Sequence, residues 1–240
     1  MESPQYTIYP SLRGKKILVT GGAEGIGASA VELFAQQGSK VALLDISESS
    51  ANALIESIKK NASQATEPPW APPIQVPTFY QCDVTNLDQL KAQAKKILDD
   101  FGTIDVLINN AAAAGVPSMQ KQGRGSIINM GSITWRIPST DTPVYATCKA
   151  AILGMTRTHS KEFGEDGIRV NSIMPGAIAT ERQRKEVLTP EYEAKVLAAQ
   201  SLKRNLMPEE VGRVILFLAS DDSSAVTGSS YIVDGGFVGD

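Results

Sequence analysis

The apolar run Lys16-Ile17-Leu18-Val19 leads directly into Thr20-Gly21-Gly22-Ala23-Glu24-Gly25-Ile26-Gly27. That segment in turn opens a stretch with Ile26, Ala30, Val31, Phe34 and Ala35 at helical spacing. A strand that turns into a helix through glycines commits the chain to a βα unit. The next apolar run, Val41-Ala42-Leu43-Leu44-Asp45, then reads as its parallel neighbour. Glycines permit the tight turn and let the backbone approach a ligand closely, while the helix N-terminus offers free N–H groups and partial positive charge to an anion. The spacing is Gly-x-x-x-Gly-x-Gly, a variant of the commoner Gly-x-Gly-x-x-Gly. In this strand–turn–helix context it makes Thr20, Gly21, Glu24, Gly25, Ile26 and Gly27 candidate contacts to a pyrophosphate-bearing cofactor.

The carboxylate of Asp45 ends the second strand, 18 residues past Gly27. There, with Ile46 beside it, it can accept hydrogen bonds from an adenosine ribose and repel a 2′-phosphate. Glu24 adds a second negative charge, and no Arg or Lys lies between Gly21 and Gly38; both features favour NAD over NADP. Along the chain, strands are expected at 16–20, 41–45, 78–82, 105–109, 126–130, 168–173 and 230–234. Helices are expected near 25–38, 48–61, 87–101, 145–163 and 208–220. This alternation predicts an α/β fold, a Rossmann-like doubly wound parallel sheet of about seven strands in three layers.

A second constellation lies downstream. Tyr145 and Lys149 are four apart in Tyr145-Ala146-Thr147-Cys148-Lys149 and so share a helix face. Ser132 stands thirteen residues before Tyr145, closing a strand-like run from Ser126. A cation about 4–6 Å from a phenol favours the phenolate, and a tyrosine so tuned can exchange a proton with a substrate hydroxyl while a serine holds the oxygen. The spacing alone fits an ordinary helix with a surface lysine; the glycine loop upstream is what gives it weight.

Taken together, these residues resemble the short-chain dehydrogenase/reductase family over nearly the whole chain. Thr20 to Gly27 is similar to its cofactor loop, Asp83 and Val84 to its adenine contact, and Asn109-Asn110-Ala111-Ala112 to its Asn-Asn-Ala-Gly segment, giving Asn109 and Ala111 as further cofactor candidates. Pro175-Gly176-Ala177-Ile178-Ala179-Thr180 resembles the segment that caps the nicotinamide, which nominates Pro175, Gly176, Ile178 and Thr180. The resemblance makes Ser132, Tyr145 and Lys149 the catalytic residues, with Tyr145 and Lys149 also touching the cofactor. A finer likeness, to aldose 1-dehydrogenases of the D-xylose type, rests on Tyr9-Pro10-Ser11-Leu12-Arg13-Gly14-Lys15, Gly131-Ser132-Ile133-Thr134-Trp135 and Thr180-Glu181-Arg182-Gln183. It implies oxidation of an anomeric hydroxyl to a lactone. A carbonyl reductase acting on another alcohol or ketone is the alternative within the family.

The remaining features bound the setting. At 240 residues and a net charge of −3, the chain suits one domain and carries no electrostatic footprint for nucleic acid or an anionic membrane. No apolar run or leader-like start suggests a membrane span or secretion, so the cytoplasm is expected. A small-molecule substrate is the expected partner, with homo-oligomerisation typical of the family. Residues 1–12 read as an N-terminal arm, 62–77 as a proline-rich surface loop and 177–204 as a substrate lid with a short helix within 181–200. Cys82 and Cys148 are expected to be buried thiols, His159 a packing or helix-surface residue, and no cluster suggests a metal.

One stretch departs from the family pattern. Only residues 111–125 separate Asn110 from Ser126, where the family has a long helix. A parallel crossover needs a dozen or more residues, so closure is feasible with a helical stub within 111–120. By the resemblance, the missing helix carries an asparagine of the proton relay and part of the dimer interface. The chain therefore reads as a shortened form, and a catalytically impaired NAD-binding remnant is the competing expectation.

Overall fold

The computed structural model describes residues 7–64, 71–109, 116–138 and 142–239. Its seven strands are β1 (Lys16–Thr20), β2 (Lys40–Asp45), β3 (Thr78–Gln81), β4 (Val106–Asn109), β5 (Gly125–Met130), β6 (Ile168–Pro175) and β7 (Ser230–Val233). All pair in parallel, in the order β3-β2-β1-β4-β5-β6-β7. The central strands are near-continuous apolar runs because helices cover both faces of the sheet. Ile17, Val19, Val41 and Leu43 point to a core shared with Val31 and Phe34 of α1 (Gly25–Gln36), Ile58 of α2 (Glu48–Gln64) and Ile215 of α8 (Pro208–Ala219). Leu18, Leu44 and Ile127 point the other way, toward Ile97 of α3 (Leu87–Phe101) and Met119 of α4 (Val116–Gln122). The long helix α5 (Pro143–Glu162) lies against β5 and β6 and is tied there by Asn129, whose Nδ2 donates to Thr156 Oγ1 (3.1 Å).

Three expectations change. The lid holds two helices, α6 (Glu181–Glu186) and α7 (Pro190–Ala199). Thr189 caps the second by accepting from Tyr192 N–H, with Pro190 fixing its first turn. The proline-rich segment is only partly a surface loop: α2 runs on to Gln64, and residues 71–77 dock on the end of α1. There Pro72 is buried against Gly38 and Gln75 N–H donates to Ala35 O (3.1 Å). Cys82 is buried, but Cys148 is exposed. It lies on the face of α5 that also exposes Val144 (75%), a face no described residue covers with α4 only seven residues long. His159 stacks on Phe163 with ring centroids 5.1 Å apart.

Strand order reverses between β1 and β4, so chain segments leaving these strands diverge and open a crevice at their C-terminal ends. Thr20 stitches the two strands together there, its Oγ1 donating to Ile108 O (3.3 Å).

Candidate active site

The glycine loop sits over that crevice. Gly21 and Gly25 adopt φ of 64° and 57°, a region that side chains rarely tolerate. At Gly27 an added Cβ would lie 1.9 Å from Gly21 O, so the loop folds against the first turn of α1 with no space for a side chain. Gly21 N–H donates to Leu44 O (2.8 Å), and Ala23 N–H donates to Asp45 Oδ2 (2.9 Å). Asp45 also accepts from Ser47 N–H (3.0 Å), so its carboxylate braces the loop while each oxygen keeps acceptor capacity for a ligand. Ile46 beside it is exposed. Glu24 accepts from Ser50 Oγ (2.6 Å) at the edge of a cavity of about 690 Å³. This cavity lies between the loop, α2 and α6, and Arg182 and Lys185 of α6 line it. These cations, invisible to a search along the loop itself, are paired within α6 to Glu186 (2.9 Å) and Glu181 (3.6 Å).

Further along the crevice, Asp83 accepts from both the hydroxyl (2.7 Å) and the N–H (2.9 Å) of Thr85, which hold its carboxyl below the usual range. Val84 packs on the α3 side of the core. Asn109 donates from Nδ2 to Asn129 Oδ1 (3.2 Å), continuing the chain to Thr156 on α5. Its own Oδ1 is buried without a protein partner among the described residues. Ala111 lies outside the described residues. From the other half of the chain, β6 ends at Pro175, and Gly176 N–H donates to Val233 O (2.9 Å). Ile178 is buried and bridges to Leu206. Thr180 caps α6 by accepting from Gln183 N–H (3.1 Å), and its Cγ2 stands 3.2 Å from where a Gly25 Cβ would be. The loop after β1 and the segment after β6, far apart in sequence, therefore meet across the crevice.

Ser132 follows β5 and is buried, its side chain capping the turn Ile133–Trp135. Its Oγ accepts from both Thr134 N–H (3.2 Å) and Thr134 Oγ1 (3.1 Å). Tyr145 and Lys149 stand in the first two turns of α5, and the Lys149 ammonium lies 5.5 Å from the centre of the Tyr145 ring. The same ammonium donates to Met130 O (2.7 Å), at the end of the strand that leads into Ser132. One bond thus draws the Tyr–Lys turn onto the Ser132 strand end. Burial lowers the Lys149 pKa, opposed by the adjacent Cys148. The Met130 carbonyl is the part of this arrangement that side-chain pattern could not reveal, since its signal is backbone geometry alone. Among the described residues no group of three His, Cys, Asp or Glu comes together to hold a metal, and no helix is long and apolar enough to cross a membrane.

A family model described as short chain dehydrogenase matches residues 15–117, and one described as enoyl-(acyl carrier protein) reductase matches residues 112–238. The D-xylose 1-dehydrogenase of Caulobacter vibrioides (strain NA1000 / CB15N) is 39% identical over 260 residues, covering 96% of this chain and 98% of the relative. The chain belongs to the short-chain dehydrogenase family. A Rhizobium meliloti (strain 1021) protein named "Probable galactose dehydrogenase GalD" is 38% identical, covering 95% of this chain and 96% of its own. Among solved structures, a 7 alpha-hydroxysteroid dehydrogenase complexed with NADH and 7-oxo glycochenodeoxycholic acid superposes with a TM-score of 0.84 at 29% identity. That match covers 96% of this chain and 98% of the other. Membership makes this short-chain dehydrogenase an oxidoreductase that works with a nicotinamide cofactor. An alignment of 260 positions exceeds the 240 residues available, so the Caulobacter relative has residues for which this dehydrogenase has none. The two family models meet at residues 112–117, where α4 begins.

Proposed function

We propose that this dehydrogenase oxidises an aldose at C1 to its lactone with NAD as hydride acceptor. The observation that carries the reading is the bond from Lys149 to Met130 O, which seats Tyr145 and Lys149 beside the strand end leading into Ser132. The sugar class follows from full-length similarity to relatives named for D-xylose and galactose. The residues fit a dinucleotide: Gly21 and Gly25 hold positive φ, Gly27 has no room for a Cβ, and α1 presents its N-terminus there. NAD is favoured over NADP because Asp45 and Glu24 put two carboxylates at the ribose end, while the nearby Arg182 and Lys185 are already paired.

The bound nicotinamide supplies the acceptor for the hydride that leaves C1. Tyr145, as phenolate, takes the proton from the anomeric hydroxyl as the C=O bond forms. Ser132 donates its O–H to the same oxygen. With both its lone pairs taken by Thr134, donation is the one role its hydroxyl has left. Lys149, anchored on Met130, holds its ammonium 5.5 Å from the centre of the Tyr145 ring, on the side of the strand end that leads into Ser132. Tyr145 is 47% exposed and can release its proton to water.

The test is NAD(P)H absorbance, read as formation across a panel of aldoses and secondary alcohols with NAD or NADP and as consumption across ketones with NADH, alongside Tyr145→Phe. Lactone formation that disappears in the variant supports the proposal. Activity confined to ketones with NADH makes the protein a carbonyl reductase. Folded protein that binds NAD and turns over nothing is a nucleotide-binding remnant.

A further inference from the structure

The bonds around Ser132 Oγ point to a residue outside the Ser–Tyr–Lys set. A serine hydroxyl has one proton to donate and two lone pairs to fill. Thr134 fills both, one through its backbone N–H at 3.2 Å and one through its own hydroxyl at 3.1 Å. Among the described residues, no protein acceptor takes the Ser132 proton. The turn Ile133–Trp135 holds the pair rigid, with Ser132 as its cap and Arg136 N–H closing it on Ile133 O (2.8 Å). Trp135 pins the far side, its Nε1 donating to Met174 Sδ (3.2 Å).

We propose that Thr134 is a positioning residue whose hydroxyl sets the polarity of Ser132, leaving it a donor only. This rests on the dehydrogenase reading above and extends it to a residue that need not touch the substrate. The polarity matters because the reacting substrate hydroxyl has one proton, which must go to Tyr145. A Ser132 with a free lone pair would compete for that proton and hold the substrate in an unreactive hydrogen-bonding pattern. A Ser132 limited to donation leaves Tyr145 the sole acceptor and stabilises the oxygen as negative charge develops on it. Removing the Thr134 hydroxyl frees one lone pair while the backbone N–H bond stays. Valine is nearly isosteric with threonine, so the turn is otherwise kept.

The experiment compares wild type, Thr134→Val and Thr134→Ser, each in the Ser132 and the Ser132→Ala backgrounds, using whichever substrate of the panel the wild type turns over. A hydrogen bond of ordinary net strength predicts that Thr134→Val lowers kcat by about 2- to 10-fold. The KM for NAD stays at the wild-type value, because the turn lies apart from the glycine loop. Thr134→Ser recovers most of the rate. In the Ser132→Ala background, Thr134→Val has no further effect, since it acts only through the serine. Losses that add in the double variant, equal slowing by serine and valine, or an active Thr134→Val enzyme matching wild type would each overturn the role of Thr134 alone. A folded wild type inactive on the whole panel would overturn the proposed activity and this role with it.

Discussion

Two glycines on helices offer a direct test of how the cofactor loop is built. Gly27 lies in the first turn of α1 and Gly154 in the interior of α5. Gly→Ala in a helix ordinarily stabilises by roughly 0.5–1 kcal/mol through lost chain entropy. At Gly154 nothing lies within 4 Å of an added Cβ, so Gly154→Ala should gain that amount and raise Tm by about 1–4 °C. At Gly27 the added Cβ would meet Gly21 O at 1.9 Å, Gly21 C at 2.9 Å and Gly22 Cα at 3.0 Å, all backbone atoms with no rotamer to escape to. Overpacking typically costs about 1–3 kcal/mol, and a backbone clash lies at the upper end, which leaves a net loss of roughly 2 kcal/mol. For a chain of this size that lowers Tm by about 4–8 °C. The relief must come from the loop itself, so NAD affinity should fall at least roughly tenfold, or about 1.4 kcal/mol. Thermal melts and NADH fluorescence titration of both variants read these quantities. A Gly27→Ala protein that melts at or above wild type and binds NADH equally well would refute the argument that the loop is folded tight on α1.

Three further outcomes follow from named contacts. Lys149→Met removes the ammonium over Tyr145 and the bond to Met130 O; kcat should fall by roughly 10²–10⁴ in steady-state assay. Asp45→Asn keeps an acceptor for Ala23 N–H but removes the charge, so the ratio of kcat/KM for NAD to that for NADP should fall roughly tenfold. Glu210 accepts from Arg204 at 2.9 and 2.7 Å and from Met207 N–H, contacts that hold its pKa below the ordinary value of 4.5. A lowered carboxylate pKa contributes stability above its unfolded value and loses it as the pH falls through the folded one. Glu210→Gln should therefore lower Tm by about 2–4 °C at neutral pH, and the difference should shrink below about pH 4 in melts across that range.

The sheet was legible because its strands are buried on both faces. Runs such as Lys16–Thr20 and Val41–Asp45 have little freedom to be anything else, and their positions fall within a residue or two of expectation. The glycine loop was legible for a related reason, since Gly21, Gly25 and Gly27 are required by backbone geometry rather than by side-chain chemistry. The contacts of Lys149 and Ser132 were not legible. Nothing in the Tyr-x-x-x-Lys spacing says that the ammonium will bond a main-chain carbonyl, or that Thr134 will occupy the serine. The exposure of Cys148 was misread because helical periodicity reports which face is apolar, and burial depends on what another element supplies to cover it. With α4 reduced to Val116–Gln122, that supply is short.

The strand order also bears on how the protein responds to its ligand. The glycine loop and Asp45 belong to the first half of the sheet, whereas Pro175 to Thr180 belong to the second, and they converge where the order reverses. A dinucleotide gripped by both sets is a non-covalent crosslink that adds to the pairing of β1 with β4 and to the packing of α1 on α8. Its contribution follows mass action, about 2.7 kcal/mol at a concentration one hundred times Kd. For this chain, cofactor concentration is therefore a folding variable as well as a kinetic one. Its half-life in the cell should track the nicotinamide pool even when no substrate is present.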